Sequence, residues 1–359
     1  MIELKKDKLV FSFPEVHPQA KLTIDFQRTL RIPDDGEEYP LPPGLGKFPL
    51  RHVDDYPETV PPKWIEHGGV MLPMYQSEAL WLKFKSAHDG YYTPYPFAIK
   101  VATGKINAIT GKEWSNGLHD DPQDYMIAPK QPWLDGYCVK KGQIRQFVAM
   151  PLGEGYSVEE QLTKTAEHGG LQIVVYPMKK EAFERRFSWQ KRSSFVYEGQ
   201  PLFMPGEPEE EPELVRWQAE DECVKSSKPD MAVAPGGRMQ QEIYEDPYDF
   251  DDWDLDHPSR CFVHLANSLV WRAITNEESP TVPFTAKEYT ENGFPWFDYY
   301  DDSATVLKGS EKLGGVKSVK EMGEEKGGVP LPENEPVRPE YIIKLRKHLK
   351  KHQVREGVF

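Results

Sequence analysis

Apolar and polar positions alternate along several stretches of the chain, and that period of two predicts strands. "KLVFSF" (8–13) and "AKLTIDFQRTLRI" (20–32) read as two N-terminal strands. In "PFAIKVATGKINAITG" (96–111) Phe97, Ile99 and Val101 alternate with Ala98, Lys100 and Ala102, and "TGK" supplies a hairpin turn. "GQIRQFVAMPLG" (142–153) and "GLQIVVYPM" (170–178) add two more strands. "RIPDDGEEYPLPPGLGKFPL" (31–50) reads as a long, turn-rich connection.

Helical signals are fewer. "SVEEQLTKTAE" opens on Ser157 with Glu160 three residues later, the spacing of a capping box. "FTAKEYTENG" repeats it with Thr285 and Glu288, and Gly293 stands past the end. "SRCFVHLANSLVWRAITN" (259–276) places Phe262, Leu265, Leu269 and Ile274 near helical period, which predicts a buried helix. Pro (33) and Gly (27) are spread throughout, and proline breaks helix interiors, so short elements and ordered loops are favoured over long helices. The expected class is α+β, β-rich, with mostly antiparallel strands and a few short helices.

"GQPLFMPGEPEEEPELVRW" is Pro/Glu-rich and reads as a linker or as an extended arm near 201–214. The end of the chain, 337–359, reads as a basic amphipathic tail. Ile342, Leu345 and Leu349 form one apolar stripe, and Lys344, Arg346, Lys347, Lys350, Lys351 and Arg355 carry its charge. The body is expected to span 1–336 as one unit.

With 359 residues and 12% aromatics, the chain can bury a large core. The formal net charge of −14 argues against a general nucleic-acid binder, which draws its affinity from Lys and Arg against phosphates. Cys138, Cys223 and Cys261 are odd in number and widely spaced, so reduced thiols in a cytoplasm are the simplest expectation. The start of the chain lacks the apolar run of a signal peptide, and no apolar run approaches a membrane span.

Candidate chemistry centres on "QEIYEDPYDFDDWDLDH" (241–257). Asp249, Asp251, Asp252, Asp254 and Asp256 offer hard oxygens suited to Ca²⁺ or Mg²⁺. Asp252, Asp254 and Asp256 start like an EF-hand loop. His257 then stands at the glycine position and Val263 at the twelfth, which rejects that motif. The alternative is an acidic loop capping the helix expected from Ser259, with Tyr244, Tyr248 and Trp253 as anchors. A second run, "FPWFDYYDDSA", places Asp298, Asp301 and Asp302 beside aromatics. It could meet the first run around a cation or polyol, or be core anchors with turn aspartates. "EHGGVMLPM" (from Glu66) echoes "EHGGLQIVVYPM" (from Glu167), so His67 and His168 are weaker metal candidates, or turn caps that bond the backbone. Gly153 and Gly155 before a helix could cradle an anion, or mark a strand-to-helix turn. No nucleophile signature of the common hydrolases occurs.

The blocks "GQIRQFVAMPLGEGYSVEEQLT", "MQQEIYEDPYDFDDWD", "CFVHLANSLVWRAIT" and "PWFDYYDD" resemble a family of bacterial and fungal hypothetical proteins, from about Tyr39 to Pro336. The resemblance implies one integrated fold on both sides of the Pro/Glu-rich stretch and carries no catalytic or ligand residue. Two functions are therefore expected. The first is a non-enzymatic binding or assembly protein, a homo-oligomer using the arm and Lys344, Arg346, Lys347, Lys350 and Lys351. The second is a hydrolase acting on a sugar or polyol through Asp/Glu residues or a divalent cation.

Overall fold

The computed structural model describes residues 1–87, 93–187, 229–300, 304–328 and 334–346. Its strands are β1 (Ile2–Leu4), β2 (Leu9–Ser12), β3 (Lys21–Thr29), β4 (Glu38–Tyr39), β5 (Gly44–Lys47), β6 (Arg51–His52), β7 (Val70–Met74), β8 (Ala79–Ser86), β9 (Phe97–Thr103) and β10 (Ile106–Asn107). They continue as β11 (Met126–Ala128), β12 (Trp133–Leu134), β13 (Gly136–Lys140), β14 (Gln143–Pro151), β15 (Leu171–Pro177), β16 (Asp230–Gln240), β17 (Ser259–Asn267), β18 (Trp296–Tyr300) and β19 (Ile342–Arg346). The α-helices are short: α1 (Pro62–His67), α2 (Val158–Thr163), α3 (Lys180–Phe187), α4 (Ser268–Thr275), α5 (Ala286–Glu291), α6 (Glu311–Gly314) and α7 (Val319–Glu325). The protein is β-rich and mostly antiparallel, as the sequence predicts. Among the described residues no helix is long and apolar enough to cross a membrane.

Two antiparallel blocks carry the main core. In one, β3 pairs with β2 and β8, placing Phe26 opposite Leu82. In the other, β15 pairs with β9 and β17, placing Val174 between Lys100 and Arg260. Strands β14 and β16 join the blocks. The period of two decides what enters the core. Leu22, Ile24 and Phe26 from the first block meet Phe97, Ile99, Val101, Ile173, Val263 and Leu265 from the second. The alternate positions of the second block therefore point to its other face: Lys100, Gln172, Arg260, Phe262 and His264.

The local signals hold. The β9–β10 turn has Gly104 at φ +55, the positive φ a two-residue hairpin needs at its first central position. Both capping boxes form, Ser157 with Glu160 and Thr285 with Glu288, and Gly293 lies at φ +72. The connection from 31 to 50 also carries two short strands, β4 and β5.

One expectation is corrected. The segment from Ser259 to Asn276 is not one buried helix. Its first half is β17, bonded on one edge to β15 and on the other, in parallel, to β7. The helical spacing of Phe262, Leu265, Leu269 and Ile274 runs across the junction of β17 with α4, a boundary that sequence period alone does not mark. Asn267 accepts a hydrogen bond from Leu269 N and caps α4, and Leu269, assigned to the core, is 48% exposed. At the C-terminal end, Ile342–Arg346, expected as part of the basic amphipathic tail, forms a strand. It pairs in parallel with β18, with Trp296 opposite Ile342. This small sheet packs on a second core with Trp296, Phe297, Tyr39 and Trp133.

Candidate functional site

The acidic–aromatic loop is consumed by its own chain. Asp252 is 3% exposed and receives Arg185 at 2.6 Å and Arg186 Nε at 2.6 Å. Arg186 also reaches Asp249 at 2.5 Å and lies over the Tyr248 ring. These guanidiniums do the neutralising that a cation would do. Asp246 accepts from Tyr125 (2.8 Å), Trp253 Nε1 (2.7 Å) and Tyr248 N (2.9 Å). Asp254 accepts from the backbone N–H groups of Asp256 and His257 and pairs with the His257 ring at 2.9 Å. Asp251 is exposed and offers its carbonyl to Lys179, and Asp256 is exposed. Tyr244 and Trp253 are buried, and Tyr248 packs against the main core, so all three anchor the loop as the sequence predicts. What they anchor is a clamp on α3. Ser259 opens a strand, so no helix terminus waits there for the aspartates to cap.

Asp298 stands on β18, against the second core, in register with the exposed Lys344. Asp301, Asp302, Lys347, Lys350, Lys351 and the arm at 201–214 lie outside the described residues, and Arg346 ends β19. Among the described residues no three His, Cys, Asp or Glu side chains are gathered as a metal ion needs. The Gly153–Gly155 turn does hold a carboxylate, and it is internal. Glu160 accepts from Gly155 N at 2.7 Å and Ser157 N at 3.1 Å.

The two Glu-His-Gly-Gly segments converge. Val70, after the first, and Leu171, after the second, both lie opposite Val263 of β17, one from each edge. The glycines make this possible. A Cβ on Gly69 would stand 2.2 Å from Phe262 O, and one on Gly170 would stand 2.3 Å from Val263 O. Gly69 is also at φ +90. His67 and His168 are thereby brought together, with ring centroids 5.2 Å apart. A third imidazole joins from β17. His264 stacks on Trp64 (4.9 Å, 21°) and hydrogen-bonds Gly68 O at 3.0 Å. His67 stacks on Phe262 at 4.8 Å and 15°.

Burial sets the charge states. Desolvation brings His264 down to about 4 and also lowers His168, with the neighbouring Lys105 and His67 adding to the latter effect. His264 is thus a neutral stacking group at pH 7, and His168 is biased toward its neutral form. Asp230, which accepts from Trp64 Nε1 at 2.8 Å, is pushed up to about 6 by burial. Glu159 accepts from His168 N (3.1 Å) and Gly169 N (3.4 Å), and burial raises it too. Glu167 pairs with Lys105.

The stack continues along the same outer face. Arg260 lies with its guanidinium carbon 4.7 Å from the Phe262 centroid and 5.0 Å from that of Trp114. Gln172 links the parts, accepting from Arg260 and donating to Gly104 O at 2.7 Å. Below Trp114, Lys100 is 1% exposed and fully engaged by Ser115 O (2.8 Å), Gly117 O (2.8 Å) and Asp124 (2.7 Å). Its three N–H donors are used, so it pins the 114–119 loop as a structural cation. His119 joins the same carboxylate at 2.8 Å.

No protein-family model, curated protein or solved structure matches the chain. The ridge was only half legible in the sequence. His67 and His168 carried a signal through the repeated Glu-His-Gly-Gly. Trp114, Gln172, Arg260 and Phe262 did not. Their one trace is that Lys100, Gln172 and Arg260 are polar positions within otherwise apolar strands.

Proposed function

We propose that the protein is a non-enzymatic binding protein, and that it binds its ligand on the outer face of β9, β15 and β17. The ridge runs from Trp114 through Arg260 and Phe262 to His67 and His168. The observation that carries this reading is the convergence of the two Glu-His-Gly-Gly turns on β17. It builds a half-exposed stack of flat rings on a rigid sheet, the kind of platform that recognises ligands at low entropic cost. His168 presents a hydrogen-bonding edge there, and burial favours its neutral form. The sugar hydrolase reading loses its support at Asp249 and Asp252, whose oxygens are held by Arg185 and Arg186.

A crystal-soaking screen with a chemically mixed fragment library tests the location. Fragments are expected to collect on the ridge, and His67→Ala with Phe262→Ala is expected to remove them. Fragments found only elsewhere would overturn the reading. Self-association through the arm and the basic residues past Lys344 is the assembly half of the proposal. Light scattering on the full chain and on one ending at Arg346 decides it, and a monomer in both cases ends it.

A further inference from the structure

Arg260 is unlike the other cations of this face. Lys105 is paired with Glu167, and Lys100 is spent on Asp124 and two carbonyls. Arg260 has the Gln172 amide oxygen as its side-chain hydrogen-bond partner, and among the described residues no carboxylate lies within ion-pair distance of it. In a chain of net charge −14, a guanidinium without a carboxylate is conspicuous. Carboxylates outnumber cations by fourteen, and a nearby one would be attracted to an open guanidinium.

The guanidinium is also held in place. Its guanidinium carbon lies over the Trp114 ring at 5.0 Å and over the Phe262 ring at 4.7 Å, and N–H donors beyond the one given to Gln172 remain. Gln172 fixes one of its nitrogens, and that glutamine is itself tied to Gly104 O. Trp114 adds a second donor: its indole N–H is buried and has no acceptor. Buried donors are nearly always satisfied, so an orphan beside an unpaired guanidinium points to an acceptor that arrives from outside. Beyond Phe262, His67 offers a flat stacked ring, and the His168 Nδ1 is buried with no partner.

We propose that Arg260 and Trp114 form the anion end of the ridge, and that the site takes a small oxyanion, a carboxylate or phosphate, carried on a planar aromatic ring. The anion meets the guanidinium edge in the paired geometry that arginine favours. The ring lies against the edges of Phe262 and His67, whose facing sides are already stacked on each other. This inference rests on the ridge being the binding surface, and it adds the ligand class.

The test is calorimetric titration at low ionic strength, mapped by backbone amide shifts, with benzoate, phenyl phosphate, inorganic phosphate, benzamide and benzylamine. Benzoate and phenyl phosphate are expected to bind and to shift amides of β15 and β17. Inorganic phosphate is expected to bind more weakly, and benzamide and benzylamine not at all. Arg260→Lys keeps the charge, loses the fork, and is expected to weaken benzoate roughly tenfold. Arg260→Ala is expected to abolish binding. Arg260 is exposed, so neither change threatens the fold, and unaltered melting curves would check this. Equal binding of benzamide or benzylamine, unchanged binding by Arg260→Ala, or no binding of either aromatic anion would overturn the anion class. Inorganic phosphate binding as tightly as phenyl phosphate would overturn the planar part. If mixed fragments still collect on the ridge in those cases, only the ligand class has failed. If none do, the surface itself has failed.

Discussion

Two regions of this molecule compete for attention, and they differ in how their polar groups are satisfied. The loop from Gln241 to His257 is dense in carboxylates and aromatics. Nearly every one of its buried oxygens has a partner from the chain: Arg185, Arg186, Tyr125, Trp253 or a backbone N–H. The ridge on β17 is sparse in charge, yet among the described residues it holds an Arg260 edge without a carboxylate, an indole N–H of Trp114 without an acceptor and a His168 Nδ1 without a partner. Charge density along a sequence measures how much must be neutralised. It does not say whether the neutraliser is a ligand or a helix about sixty residues away. Here the dense region is structure and the sparse one has capacity left over.

That contrast makes predictions, the largest at the convergence of the turns. Gly69→Ala sets a Cβ at 2.2 Å from Phe262 O in a backbone at φ +90, and should cost more than about 3 kcal/mol or prevent folding. Urea unfolding measures it, and a loss under about 1 kcal/mol would mean that β7 can move off β17. Next comes the clamp. Removing both Arg185 and Arg186 leaves Asp252 buried without a cation and should cost about 3 kcal/mol, after discounting for their partial exposure. Millimolar Ca²⁺ or Mg²⁺ should leave the Tm of the intact protein unchanged, whereas a rise of several degrees would restore the cation reading.

The third effect is a pH dependence. His264 is neutral when folded down to about pH 4, while the unfolded chain takes up a proton near 6.5. The unfolded state therefore binds more protons in that window, and stability falls as pH drops from about 6.5 to 4, by about 2–3 kcal/mol. Asp230 runs the other way. Its folded value near 6 lies above the unfolded one, so its contribution is full below about 4 and is lost as pH rises through 6. His264→Gln keeps a donor for Gly68 O and removes the titration. Relative to the parent, it should gain stability at pH 4 against pH 6.5, leaving the opposite slope of Asp230 exposed, and an unchanged slope would assign the acid sensitivity to other groups. The smallest effect is on the ridge itself. Phe262 is half-buried, so Phe262→Leu should cost less than about 1 kcal/mol while weakening any ring-bearing ligand. A large stability loss with unchanged binding would make Phe262 a packing residue.

Legibility followed the range of the interactions. Alternation in β2, β3, β9, β14 and β15 and the Ser157 and Thr285 capping boxes rest on neighbours within a few residues, and the chain states them directly. The β17 segment misled because Phe262, Leu265, Leu269 and Ile274 straddle the junction of β17 with α4, so one helical spacing runs across two elements. Of the second acidic run, Asp298 stands on β18, which packs on a different core from Trp253.

The sequence alone settled the β-rich class, the position of most strands and turns, the absence of an EF-hand, and the fact that Glu-His-Gly-Gly occurs twice. Only the tertiary structure decided that both copies flank one strand, that Asp249 and Asp252 already have arginines, and that among the described residues no carboxylate pairs with Arg260. The reason is physical. Backbone preference and periodicity act between neighbours, whereas the pairing of a charge depends on which distant side chain the fold brings within about 4 Å.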